Sequence, residues 1–95
     1  MAKGRVHLVI RGRVQGVFYR ASAHEKAIEL ELTGWVRNRA DKTVEIVAEG
    51  ERENLDALIE WCYMGPPDAY VTGVDVNWEP YIGEFREFLV KYRER

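Results

Sequence analysis

The run Val-His-Leu-Val-Ile from Val6 to Ile10 is apolar and largely β-branched, and Gly12 and Gly16 bracket its end. This pattern predicts a buried strand followed by a loop. Beyond the loop, Ala23, Ala27 and Leu30 recur at helical spacing among charged neighbours, predicting a helix over 20–32 that Thr33-Gly34 closes. Trp35 to Arg39 and Thr43 to Glu49 read as two strands of a hairpin joined by the polar turn Ala40-Asp41-Lys42. A second helix, capped by Asn54, places Leu55, Leu58, Ile59 and Cys62 on one stripe, and Gly65-Pro66-Pro67 stops it. Val74, Val76 and Trp78 alternate with Asp75 and Asn77 as a half-buried strand, and Phe85 to Tyr92 gives a fifth, less regular apolar segment.

The resulting order, βαββαβ, predicts an α+β fold: a ferredoxin-like sandwich with an antiparallel sheet and two helices on one face. Such an architecture hosts many unrelated activities, so function has to be sought in the turns. At 95 residues the chain has the length of one domain, 1–95, with no repeat, linker or low-complexity segment. Its 46% hydrophobic and 32% charged residues are those of an ordinary globular protein.

Fourteen Lys and Arg against sixteen Asp and Glu leave a net charge of -2, so no global field directs the protein to nucleic acid or to an anionic membrane. Any anion site must be local. A lone cysteine, Cys62, rules out an intrachain disulfide and a cluster of thiolate ligands. The apolar run near the N-terminus is too short for a signal peptide core or a membrane span. A cytoplasmic monomer without nucleic-acid or membrane partners is the expectation.

Between strand and helix, Gly12 to Arg20 combines two glycines with a helix start, where unpaired N–H donors and the helix dipole favour anions. Arg20 stands where a guanidinium could complete such a cradle through paired charge-assisted bonds. The same residues equally make an ordinary turn with a solvated arginine. The spacing is neither that of a Walker loop nor that of a dinucleotide fingerprint. Val14 occupies the place, six residues before the arginine, where a cysteine phosphatase carries its nucleophile. Asn38, at a strand end beside a turn, reads by itself as turn chemistry.

Taken together, Gly12-Arg13-Val14-Gln15-Gly16-Val17-Phe18-Tyr19-Arg20 resembles the acylphosphatase family signature G-x-V-Q-G-V-x-[FY]-R, and Gly34-Trp35-Val36-Arg37-Asn38 resembles its second signature, G-W-V-x-N. Val44-Glu45, the segment from Cys62 to Pro67, and Val71 with Val74 extend the resemblance over essentially the whole chain. It implies hydrolysis of the carboxyl-phosphate bond of a small-molecule acyl phosphate, without metal or other cofactor. By position, Arg20 matches the family's phosphate-binding arginine and Asn38 its water-orienting asparagine. The backbone amides of Gln15, Gly16, Val17, Phe18 and Tyr19 match its phosphate cradle.

The residues suit that chemistry. A carboxylate leaving group, with a conjugate acid near the pKa of about 4 of Asp and Glu side chains, needs no general acid. Positioning and charge stabilisation then suffice for phosphoryl transfer. Arg11, Arg13, Arg37 and Arg39 flank the motifs, as phosphate attractors or as plain solvated charges. His7 reads as a packing or surface residue, His24 as solvated, Cys62 as an inert core thiol, Ser22 as a helix cap, and the three tryptophans as packing residues.

The chain departs from the family at Glu31 and Lys42, where glycine is usual, and at Arg39, where some members carry threonine. A left-handed Glu31 costs about 1 kcal/mol relative to glycine. The charged end of the last segment, Phe85 to Arg95, is expected to fray. Two rival readings share the fold. An RNA-binding module requires exposed aromatics that the central strands lack. A domain serving a larger hydrogenase-maturation or carbamoyl-transfer enzyme requires a separate partner here.

Overall fold

The computed structural model describes residues 2–92. Among them run β1 (Lys3–Arg13), α1 (Tyr19–Glu29), β2 (Thr33–Asn38), β3 (Val44–Glu51), α2 (Arg52–Met64), β4 (Tyr70–Glu79) and β5 (Phe88–Lys91). The strands form one sheet in the order β4-β1-β3-β2-β5. Val6, Leu8 and Ile10 of β1 and Val44, Ile46 and Ala48 of β3 pack against Ala23 and Ala27 of α1 and Leu55, Leu58 and Cys62 of α2. Both helices therefore cover the same face, as the α+β ferredoxin-like reading requires.

One seam corrects the expectation of an antiparallel sheet. β1 pairs antiparallel with β3 and β4, and β2 antiparallel with β3, but β5 lies parallel to β2. The cause is topological. β4 occupies one edge of the sheet, and the segment after it crosses to the far edge and enters alongside β2 in the same direction.

Element boundaries also move. Pairing on both sides extends β1 well beyond Val6–Ile10, until the register shifts between Arg11 and Gly12. There Gly12 has φ 120°, and a Cβ on it would stand 2.2 Å from the Tyr70 carbonyl oxygen, so only glycine fits the bulge that turns the chain into its loop. Helix α1 ends earlier than Leu32 because Glu31 is left-handed, at φ 58°. Glu31 N–H donates to the Ile28 carbonyl and Leu32 N–H to that of Ala27, each at 2.9 Å, the paired bonds of a Schellman ending. Lys42 is left-handed too, at φ 78°, in a turn held by Asp41, whose Oδ1 accepts from the Thr43 N–H and hydroxyl.

Neither expected side-chain cap forms. α1 starts behind Phe18 and contains Ser22, whereas α2 starts behind Glu51 and contains Asn54. In α2 the strand runs straight into the helix, and Arg52 N–H donates to the Ala2 carbonyl at 2.9 Å, so backbone supplies what a cap would. The tryptophans do pack: Trp61 against Tyr19, Trp78 under Arg52, and Trp35 between Arg37 and Lys91. The fraying expected at the chain's end concerns residues beyond Tyr92, outside those described.

β5 begins three residues later than Phe85, because the preceding segment is spent on fastening itself to the sheet's other face. Glu49, 1% exposed, accepts hydrogen bonds from the N–H groups of Ile82 and Gly83 at 2.9 and 3.1 Å. Arg5 joins Glu49, Glu79 and Glu84 at 2.8 to 3.2 Å and lies over the Phe85 ring. Burial pushes the Glu49 carboxyl up, but these N–H donors and Arg5 outweigh it and hold it below the ordinary 4.5. A carboxyl with a depressed folded pKa stabilises the fold above its unfolded pKa and loses that contribution as pH falls through the folded value. Unfolding free energy from urea titrations is thus expected to decline below about pH 4.5, and Glu49→Gln to make that decline shallower. An equally steep decline in the variant would remove Glu49 as a cause.

Candidate functional site

Side chains of the loop between β1 and α1 alternate. Val14, Val17 and Tyr19 are buried, while Gly16 and Phe18 face outward. The buried members fasten the loop from below. Tyr19 donates its hydroxyl to the Cys62 carbonyl at 2.7 Å and tilts against Trp61, with ring centroids 5.3 Å apart. Burial pushes its phenol well above the ordinary range and pushes the Cys62 thiol up to about 12. Both are inert anchors at neutral pH, which matches the reading of Cys62 as a core thiol.

Gly16 and Phe18 carry the loop's sharp turns, at φ 75° and 65°. Glycine takes that conformation freely, whereas phenylalanine is strained by it. Among the described residues, the amides of Gln15, Gly16, Val17 and Phe18 donate to no other group of the chain. Together with the unpaired first-turn N–H groups of α1, they form a run of available donors.

Arg20, Asn38, Gly16, Phe18 and Tyr19 line one cleft of about 270 Å³, shared with Val14, Ala21, Val90 and Tyr92. The two sequence motifs therefore converge, with Arg20 from the first turn of α1 and Asn38 from the last residue of β2. Among the described residues no carboxylate pairs with Arg20, whose guanidinium lies over the Tyr92 ring, 4.6 Å from its centroid. Asn38 Oδ1 is buried without a hydrogen-bond partner among the described residues. An orphaned acceptor of this kind normally costs stability and marks a place where a ligand or water belongs.

Gln15 and Val17 contribute differently from the other expected residues, since their side chains do not line the cleft. Val17 packs into the core. Gln15 Nε2 donates to the carbonyls of Arg39 and Thr43, each at 2.8 Å, and so ties the loop to the hairpin that carries Asn38. Sequence reasoning counted Gln15 only for its amide. It also missed Tyr92 and Val90, and the one available signal was their apolar character in an otherwise charged segment.

Most of the remaining candidates are occupied elsewhere, while Arg13 is exposed. Arg11 pairs with Asp75, Arg37 with Glu45 at 2.7 Å, and Arg39 with Asp41 at 3.6 Å. His7 Nε2 lies 2.6 Å from Glu45 Oε2 on the open sheet face. His24 is not simply solvated, because its Nε2 meets the Phe88 carbonyl at 3.1 Å, tethering α1 to β5. Among the described residues no three His, Cys, Asp or Glu side chains gather as a metal site, and no helix is long and apolar enough to cross a membrane.

Known proteins resemble the whole of this arrangement. The acylphosphatase family model matches residues 6–90. An acylphosphatase of Methylococcus capsulatus is 62% identical over 86 residues, covering 90% of this chain and 94% of its own. The crystal structure of acylphosphatase from Bacillus subtilis superposes with a TM-score of 0.90 at 34% identity, over 94% of this chain and 99% of that one. A structure of an acylphosphatase from Coxiella burnetii does so at 0.83 and 44% identity, over 94% and 93%. With both motifs meeting in one cleft and the likeness running nearly from end to end, the chain belongs to the acylphosphatase family.

Proposed function

We propose that this chain, acting as a single-domain monomer in the cytoplasm, hydrolyses small acyl phosphates to a carboxylate and inorganic phosphate without a metal. The observation that carries the reading is that, among the described residues, Asn38 Oδ1 has no hydrogen-bond partner and shares a cleft with an Arg20 guanidinium that no carboxylate pairs.

In the proposed reaction the phosphoryl group rests on the amides of Gln15 to Tyr19, and Arg20 grips two of its oxygens through its planar fork. Water donates a hydrogen bond to Asn38 Oδ1, which aims its lone pair at phosphorus. A bond forms between water oxygen and phosphorus while the bond from phosphorus to the carboxyl oxygen breaks. The carboxylate leaves unprotonated, and the water's proton passes to a phosphate oxygen. Charge growing on the equatorial oxygens is met by Arg20 and by amides already in place, so little reorganisation accompanies the step.

The test compares anhydride with ester. Benzoyl phosphate should be turned over rapidly with EDTA present, and p-nitrophenyl phosphate, whose leaving group is poorer, should not. Chelator-sensitive turnover would defeat the metal-free mechanism, and a folded protein inactive on acyl phosphates would defeat the function.

A further inference from the structure

The chemistry proposed above uses Arg20, Asn38 and the loop amides, yet the cleft has a second part that this chemistry leaves idle. Its rim carries two aromatic rings from opposite ends of the chain: Phe18 on the loop and Tyr92 just beyond β5. Phe18 is 78% exposed and Tyr92 77%, the highest exposures among the large hydrophobic side chains described. Between them the wall is completed by Val14, Ala21 and Val90. Apart from Arg20, which the phosphate would occupy, no charged residue lines the cleft among those described.

From this we infer that Phe18 and Tyr92 form a subsite for the acyl group and select uncharged, apolar acyl phosphates, aromatic ones above all, over short or anionic ones. The inference rests on the proposed function and names the substrate class for it. A volume of about 270 Å³ lies just below the roughly 300 to 1,000 Å³ of pockets that enclose drug-sized ligands. It holds a phosphoryl group and a compact acyl group, with the rings at the mouth placed to flank an apolar one.

Three physical arguments favour this occupant. Exposed rings flanking a cleft gain from covering apolar surface, and a ring against a ring adds offset or edge-to-face attraction. An acyl group bearing a second carboxylate would shed water against these walls and find, apart from Arg20, no cation among the described lining residues to replace it. Tyr92 is also fixed for the purpose. One face of its ring covers the Arg20 guanidinium, which leaves the guanidinium edge for phosphate and the rest of the ring for the acyl group. Phe18 is held at the rim by its left-handed backbone, a strained conformation that puts a large apolar side chain outside the core.

The experiment measures kcat/KM for benzoyl, acetyl and succinyl phosphate with the wild type, Phe18→Ala, Tyr92→Ala and Tyr92→Phe. Comparing the benzoyl-to-acetyl ratio between variants cancels the intrinsic reactivity of each anhydride. The ratio should fall about 3- to 10-fold in each alanine variant, mostly through KM for benzoyl phosphate, and Tyr92→Phe should retain it. Wild-type kcat/KM should be lowest for succinyl phosphate. If Tyr92 served only to steady Arg20, its loss would slow all three substrates by one factor, and that result overturns the inference, as does a wild-type preference for succinyl phosphate. Hydrolysis without discrimination sinks the subsite alone, whereas no hydrolysis of any acyl phosphate by the folded wild type sinks the proposed function with it. Circular dichroism checks that all three variants are folded, as expected of side chains that lie largely outside the core.

Discussion

Arg20→Ala is expected to reduce kcat/KM for benzoyl phosphate by about 10²- to 10⁴-fold while leaving the urea midpoint nearly unchanged. Two charge-assisted bonds to the phosphoryl oxygens, each worth about 1.5 to 3 kcal/mol, set that range. The fold should not feel the loss, because among the described residues no carboxylate depends on Arg20 and its ring partner Tyr92 is exposed. Arg20→Lys should restore little. An ammonium carries the charge but lacks the planar fork and the flat face that stacks on Tyr92. Rescue by lysine to within a few fold of wild type would mean that only charge matters there.

The second large effect has an unusual signature. Asn38→Ala is expected to lower kcat on the order of 10²- to 10³-fold, the scale for removing one preorganised polar group. Stability should hardly move. Truncation removes an oxygen that accepts no hydrogen bond from the fold among the described residues, so no internal bond is lost with it. A variant that unfolds readily yet turns over normally would instead make Asn38 a structural turn residue.

How far the sequence discloses this arrangement depends on the range over which each feature is encoded. Local patterns carry well. The period of the core stripe in α2 follows from neighbours within a few residues, whereas the turns at Glu31 and Lys42 stood out only because the family usually has glycine there. The convergence of Arg20 with Asn38 was legible only because both motifs matched a known pattern. Features set by distant partners escape. No local rule makes β5 parallel to β2, sends Gln15 Nε2 to the carbonyls of Arg39 and Thr43, or places the Tyr92 ring on Arg20. The failed caps at Ser22 and Asn54 have the same origin. Both are good capping residues, but the helices begin where the loop and β3 deliver the chain, and tertiary contacts replace the cap.

The parallel edge strand has a kinetic consequence. β5 is four residues long and pairs on one side only, with Phe88 in the core and the His24 contact to the Phe88 carbonyl among its fastenings to the rest of the protein. Opening it would remove Val90 from the cleft wall and carry Tyr92 away from Arg20, while β1, β3 and both helices kept their shared core. Partial openings of this kind require less free energy than global unfolding. Losing the assembled cleft is therefore expected to require less free energy than losing the fold that bears it, and helix content alone would not report the loss.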